Sequence, residues 1–224
     1  MKSEDVEKIV GERFLRSIAE FRESGKKEQE NNIVHVTELV HECPRYPYYN
    51  RCLNKQIMDL TGFLKTSYGR MVHTVTKMSD MHELEVKMVT ASGTVISGTI
   101  DEVLNIDGVY VIVDKKTTRT AIKNAYNHHW KQVDYYAVLL EKSKGITARY
   151  GALCYINLAE VGEPKVFVKQ IRNIGLIEQD LVARANAIAM ALRERKLPEC
   201  NRYWLCKYCN FSNYCVRNKG LEEE

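Results

Sequence analysis

Two aspartates and a lysine stand out by type and spacing. The runs Gly98-Thr99-Ile100-Asp101 and Val111-Ile112-Val113-Asp114-Lys115-Lys116-Thr117 are strand-like, and each delivers one carboxylate. On a strand, residues i and i+2 face the same way, so Asp114 and Lys116 project together while Lys115 points to the other side. Such a set suits phosphodiester hydrolysis, where the phosphate is anionic and the alkoxide leaves poorly. A divalent cation held by carboxylates neutralises the phosphoryl oxygens and lowers the pKa of a bound water. Hard oxygen ligands suit Mg²⁺, which takes one or two protein carboxylates and keeps its remaining waters. Asp101 and Asp114 meet that requirement. A Lys116 ammonium beside them orients the attacking water or stabilises charge in the transition state. Gln132, further on, is placed to hydrogen-bond the nucleophile or the lysine. Glu102, next to Asp101, should face away and reads as non-catalytic.

A second chemistry is written near the C-terminus. Cys206-Lys207-Tyr208-Cys209-Asn210-Phe211-Ser212-Asn213-Tyr214-Cys215 spells C-x2-C-x5-C, three soft ligands in ten residues. A closed set needs a fourth, and Cys43, Cys52, Cys154 and Cys200 are the candidates. Cys154 lies among Leu153, Tyr155 and Ile156 and reads as buried packing. Spacing does not choose among the other three.

The elements that must position these residues follow from periodicity. Residues 3–23 read as an amphipathic helix, with Val6, Ile9, Val10, Phe14, Ile18 and Phe21 at helical spacing. Residues 25–32 are polar and read as a linker. A short segment starts with Thr37 as N-cap and runs to Cys43, where Pro44 interrupts it. The aromatic and basic stretch Arg45–Cys52 packs against a neighbour or offers stacking faces to nucleic acid. Ser67 is expected to cap a helix to about Met81, with Tyr68, Met71, Val72, Val75 and Met78 as its apolar face. Gly69, His73 and Thr76 share an adjoining face. Alternation then predicts an antiparallel meander over 84–89, 95–104 and 109–116, with turns at Ala91-Ser92-Gly93 and Asn105–Gly108. Residues 121–143 return to helical spacing: Trp130, Val133, Ala137 and Leu140 on one face, His129, Gln132 and Tyr136 on another. Strands at 148–157 and 165–171 and a helix over 176–195, ended by Pro198, complete the order. It reads as α/β or α+β with a mixed sheet.

Composition sets the frame. The 224 residues are 45% hydrophobic and 28% charged, with a net charge of +4 and a pI of 8.6, which fits one ordinary globular domain. No apolar run approaches a bilayer span, and the acidic N-terminus lacks a signal-peptide pattern, so a cytoplasmic protein with no membrane is expected. Seven cysteines in such a chain point to a metal site or thiols rather than a disulfide framework. Lys115, Lys116, Arg119, Lys123 and Lys131 cluster beside the aspartates, compatible with nucleic acid. No Gly-x-x-x-x-Gly-Lys-Ser/Thr loop is present, so any motor belongs to another polypeptide.

The ordered set Gly69-x-x-x-His73, Gly98-x-x-Asp101, Asp114-x-Lys116 and Gln132-x-x-x-Tyr136 resembles the PD-(D/E)xK nuclease superfamily, in its RecB-like branch. The resemblance implies a restriction-endonuclease-like α/β core with a mixed central sheet flanked by helices. It makes His73 a metal ligand linked to manganese use, joined by Asp101, Asp114 and the backbone carbonyl of Lys115. Lys116 becomes the catalytic lysine, and Gln132 and Tyr136 arrange the site and substrate. Asp114 stands where glutamate is common, and its shorter side chain still reaches a metal. RecB-like nucleases with an iron–sulfur cluster carry one upstream cysteine in a Cys-Pro-Arg context, matched by Cys43-Pro44-Arg45-Tyr46, and three downstream. Cys43, Cys206, Cys209 and Cys215 are then the ligands. One ligand far from the other three favours iron–sulfur over zinc, and [4Fe–4S] over [2Fe–2S].

The whole pattern, over roughly residues 33–218, resembles the CRISPR-associated RecB-like exonucleases, with viral relatives sharing the motifs. That implies a Mn²⁺- or Mg²⁺-dependent DNA nuclease acting on single strands or overhangs and trimming prespacers with the Cas integrase complex. The domain reading is a helix and linker over 1–32, a nuclease core over 60–197, and an iron–sulfur module joining 33–53 to 198–218. A non-cleaving iron–sulfur adaptor and a RecB-like nuclease of viral or recombination-repair origin are the alternatives.

Overall fold

The computed structural model describes residues 9–10, 12–13, 32–53, 67, 69, 71–73, 75–160, 162–199, 206–207 and 209–219. The chain divides into two compact units, Met1–Glu30 and Asn31–Glu224. In the first, residues 9, 10, 12 and 13 are helical and exposed; the rest of the helix expected over 3–23, and most of the 25–32 linker, lie outside the described residues.

The second unit is built on one six-stranded mixed sheet. Its elements are β1 (Ile33–His35), α1 (Val36–Leu39), α2 (Arg45–Cys52), β2 (His82–Val89), β3 (Val95–Ile106), β4 (Val109–Thr118), α3 (Asn127–Lys144), β5 (Ala148–Asn157), β6 (Lys165–Gln170), α4 (Ile174–Glu194) and α5 (Ser212–Lys219). The spatial order is β1-β3-β4-β5-β6, with β2 paired to β3. The meander is antiparallel throughout. Its second turn is a two-residue loop, Asp107-Gly108, with both φ values positive, the backbone that matches strand twist.

After β4 the chain crosses over through α3 and returns parallel as β5, putting Lys116 opposite Tyr155. A parallel neighbour requires such a crossover. Val133, Ala137 and Leu140 of α3 are buried in the main core with Ile112, Val103 and Leu153. Gly151 lets α3 approach the sheet: a Cβ there would lie 2.3 Å from Val133 Cγ1. A smaller cluster of Val111, Val113 and Ala152 alternates with Ile112 along β4, so it belongs to the other face.

Several expectations are corrected. Helix α3 starts at Asn127 rather than 121, with Tyr126 as an extended N-cap, because the apolar Ala121, Ile122 and Ala125 imitate helical spacing while lying in a loop. His35, not Thr37, caps α1, and the Glu38 carboxylate accepts its N–H at 2.8 Å. Pro44 does not merely interrupt: it is the N-cap of α2, where a missing N–H costs nothing. Ser67 is already helical, and the helix that includes residues 71–73 ends by Thr76 rather than near Met81. Its expected apolar face is largely outside the core, with Met71, Val75 and Met78 exposed. β1 and α5 are additional elements.

Candidate active site

The ladder between β3 and β4 stops at Glu102↔Val113, and a side chain takes over the next bond. The Lys115 N–H donates to Asp101 Oδ2 at 2.7 Å. Asp101 Oδ1 stands 3.1 Å from His73 Nδ1, so the helix carrying His73 meets the strands at this carboxylate. That bond holds the His73 pKa above its ordinary value, against the pull of burial.

Asp114, on β4, is 1% exposed. Lys116 Nζ lies 2.9 Å from its Oδ2, yet off the line a hydrogen bond needs, and among the described residues that buried oxygen has no hydrogen-bond partner. Burial pushes the Asp114 carboxyl up to about 6, with the Lys116 charge opposing the rise and Asp101 adding to it. When ionised, a buried carboxylate whose Oδ2 meets only the Lys116 ammonium favours a cation beside it.

Lys116 continues the chain of contacts into α3. Its Nζ donates to Gln132 Oε1 at 3.1 Å, and Gln132 Nε2 donates to Tyr136 Oη at 3.0 Å. Residues 132 and 136 are one helical turn apart, so they share a face. Burial raises the Tyr136 pKa, keeping the phenol protonated. Gly98 makes room for this ring: a Cβ there would lie 2.7 Å from Tyr136 Cε1 and 3.1 Å from Val36 Cγ2.

His73, Asp101, the Lys115 backbone, Asp114, Lys116, Gln132 and Tyr136 are thus connected through direct contacts. Among the described residues no three His, Cys, Asp or Glu side chains are already drawn together as a coordination set. His73 is paired to Asp101, and Lys116 to Asp114.

Behind the site, the Lys115 side chain takes the opposite face of β4. Its Nζ donates to Glu102 Oε1 at 2.8 Å and to Thr76 O at 2.6 Å. Glu102 also accepts the N–H groups of Met78 and Ser79 and the Ser79 hydroxyl. Burial would raise its pKa, but these donors outweigh burial and hold it low. Glu102 therefore faces away from Asp101, and it anchors the segment that follows the His73 helix.

The cysteine-bearing segments also meet. Burial pushes the Cys209 thiol up, and the neighbouring Cys215, Cys43 and Cys206 push it further. Around them Phe211 stacks on Tyr49 and meets Tyr46 edge-on. Arg45 Nε donates to Pro198 O at 2.7 Å. Cys52 is exposed and Cys154 half-buried; Cys200 lies outside the described residues.

Of the aromatic residues beside Lys116, spacing places only His129 with Gln132 and Tyr136; Tyr126, His128 and Tyr155 join it in the structure. The Tyr155 hydroxyl accepts the Tyr126 N–H at 3.2 Å and bonds His129 Nδ1 at 2.7 Å. The signal was the run Tyr126-Asn127-His128-His129-Trp130 just before Gln132.

A family model described as the PD-(D/E)XK nuclease superfamily matches residues 3–216. The CRISPR-associated exonuclease Cas4 of Saccharolobus solfataricus is 28% identical over 197 residues, 84% of this chain and 89% of that protein. The crystal structure of SSO0001 superimposes with a TM-score of 0.65 at 25% identity, covering 93% of this chain and 97% of that one. Among the described residues no helix is long and apolar enough to cross a membrane.

Proposed function

The chain belongs to the PD-(D/E)XK nuclease superfamily as a Cas4-like, RecB-type nuclease, and on that premise we propose that it hydrolyses single-stranded DNA or overhangs at the Asp101–Asp114–Lys116 site. The observation that carries this reading is the buried Asp114 Oδ2, left without a hydrogen-bond partner among the described residues and level with Asp101 on the neighbouring strand. Superfamily members use divalent metals. Here Asp101, Asp114, His73 and the Lys115 carbonyl would hold Mn²⁺ or Mg²⁺. Such an ion, when bound, neutralises phosphoryl oxygens and lowers the pKa of a water.

The remaining roles belong to the chain itself. Lys116, steered by Gln132, orients the attacking water or stabilises charge on the phosphate. Tyr136 fixes the amide of Gln132, so that its oxygen faces the lysine. Asp101 positions the Lys115 backbone through the 2.7 Å hydrogen bond.

Cys43, Cys206, Cys209 and Cys215 would hold an iron–sulfur cluster, [4Fe–4S] ahead of [2Fe–2S], in a module of residues 33–53 and 198–218 beside a core of 60–197. What supports it is the C-x2-C-x5-C spacing and the packing that joins the two segments, Phe211 against Tyr49 and Tyr46 and Arg45 on the Pro198 carbonyl. We assign the protein to prespacer trimming with the Cas integrase complex, in the cytoplasm, on its likeness to the Cas4 exonuclease.

The test is cleavage of end-labelled single-stranded DNA with Mn²⁺ or Mg²⁺ by the wild type, Asp101→Ala and Lys116→Ala. Loss in both variants is expected. Cleavage persisting in both would overturn the site, and a wild type that binds DNA without cutting would favour an iron–sulfur adaptor.

A further inference from the structure

Beside Lys116 the fold presents a group of rings that the hydrolytic chemistry does not use. Tyr155 lies one strand over, opposite Lys116 in the parallel register, and is itself buried. Its hydroxyl holds the Tyr126 backbone and His129 Nδ1, which fixes the start of α3 next to the lysine. His129 is three residues before Gln132, the lysine's own partner, so it stands on the same side of the helix. Upon this base Tyr126 and His128 lie nearly parallel, with an interplanar angle of 16° and centroids 5.6 Å apart. His128 meets His129 edge-on at 4.1 Å. Tyr126 is 47% exposed, and His128 is exposed too.

Packing does not require this exposure. The buried ring of the group is Tyr155, which meets Phe167 edge-on. The outer two rings are exposed, in a region that holds the Lys116 cation, the exposed Lys123 and Lys165 and, acting on His128, the Glu42 carboxylate. Burial, then the Lys116 charge, pushes His129 down to about 3 and lowers His128. Both imidazoles are therefore uncharged near neutral pH and offer flat rings rather than ion-pair donors. Flat uncharged rings next to a phosphate-handling lysine match unpaired nucleobases, whose faces stack on aromatic side chains without regard to sequence. A base inside a duplex has both faces covered by its neighbours.

We propose that Tyr126 and His128, held by Tyr155 and His129, form a stacking platform that receives an unpaired base next to the scissile phosphate. This rests on the reading of Lys116 as the residue at that phosphate. It makes the single-strand preference a property of these rings rather than of the metal-binding residues.

The test compares wild type, Tyr126→Ala, Tyr126→Phe and His128→Ala on a fluorescein-labelled oligothymidylate and on the same backbone with abasic sites. Binding is read by anisotropy with Ca²⁺, and turnover with Mn²⁺. Removing one stacking ring should weaken binding of the base-bearing strand by about tenfold, with KM rising and kcat held. Tyr126→Phe should behave as wild type, and the abasic strand should not distinguish the four proteins. Unchanged melting temperatures identify the loss as local; where His128→Ala melts early, the Tyr126 pair decides. Equal binding of oligothymidylate by wild type and Tyr126→Ala, or equal weakening on both strands, would overturn the platform. A wild type that cuts normally alongside that result leaves the nuclease site standing. A wild type that cuts nothing but loses base-dependent binding in Tyr126→Ala keeps the platform and removes the nuclease reading.

Discussion

Lys115 and Glu102 meet at 2.8 Å with 3% and 0% of their side chains exposed, directly behind the two aspartates. One residue thus serves both faces of the sheet: its N–H holds Asp101, and its ammonium neutralises Glu102. The pair also grips Thr76, Met78 and Ser79, just beyond the helix that delivers His73.

Removing one partner leaves the other charge buried. Glu102→Ala should cost about 3–5 kcal/mol of stability, and it should lower nuclease activity by releasing the 76–79 segment. The double variant Glu102→Leu/Lys115→Met should recover most of the stability, since apolar replacement of a buried pair is often near neutral. Urea denaturation of the single and double variants checks this; equal losses in both would contradict it.

Ionised Asp114 costs the fold stability. Its folded pKa, pushed up to about 6 by burial, exceeds the ordinary carboxylate value. Its protonated form is therefore the one the fold favours. The contribution is fully present at low pH and is lost as pH rises towards about 6. Metal-free Asp114→Asn should be more stable than wild type at pH 7, on the order of 1–3 kcal/mol, while cleavage disappears. At limiting Mn²⁺, wild-type cleavage should also fall as pH drops below about 6, because the proton competes with the cation for the carboxylate, and added metal should restore it. Thermal melts with a chelator, and a rate–pH profile, read both effects.

Gly98→Ala should disturb the site from a distance. The new methyl would meet the Tyr136 ring at 2.7 Å and Val36 at 3.1 Å, a contact that must move one of them. Overpacking of this kind costs about 1–3 kcal/mol. Displacing Tyr136 loosens Gln132 and hence Lys116, so kcat should fall more than KM rises. Tyr136→Phe, which keeps the ring and removes the hydroxyl, separates the packing effect from the hydrogen bond.

Cysteine substitutions should sort into two groups. Serine at Cys43, Cys206, Cys209 or Cys215 should abolish visible absorbance and bound iron, whereas Cys52→Ser should leave both intact. Cys52 is exposed and is not among the groups that raise the Cys209 pKa. Iron analysis of the purified variants decides it. Stoichiometric zinc in place of iron would overturn the cluster.

Much of this was legible in one dimension because strands and helices repeat so regularly. Period-two alternation places Asp114 with Lys116 and sends Lys115 the other way. A four-residue step puts Gln132 and Tyr136 on one face of α3. What stayed hidden depends on partners far along the chain. β1 is three residues long and exists because it pairs with Val95–Ser97, which no local pattern announces. The apolar stripe Met71, Val75 and Met78 looks like a core face, yet it is largely exposed. Burial is decided by what packs on a helix, not by its own periodicity. Lys115 reads as one more surface cation in a basic cluster, and only the fold reveals Glu102 beneath it. Tyr155 likewise acquires its role by lying opposite Lys116.

The bond from Arg45 to the Pro198 carbonyl spans 153 residues, and it has a consequence for timing. On the ribosome Cys43 emerges long before Cys206, Cys209 and Cys215. Lys116 likewise emerges before the strand that bears Tyr155. A nascent chain that has made Asp101, Asp114 and Lys116 still lacks the strand that bears Tyr155, and Cys206, Cys209 and Cys215 wait until nearly everything else is out. In a chain laid out this way, any joining of Cys43 to the three downstream cysteines can only be a late step, after the sheet and its helices have been made.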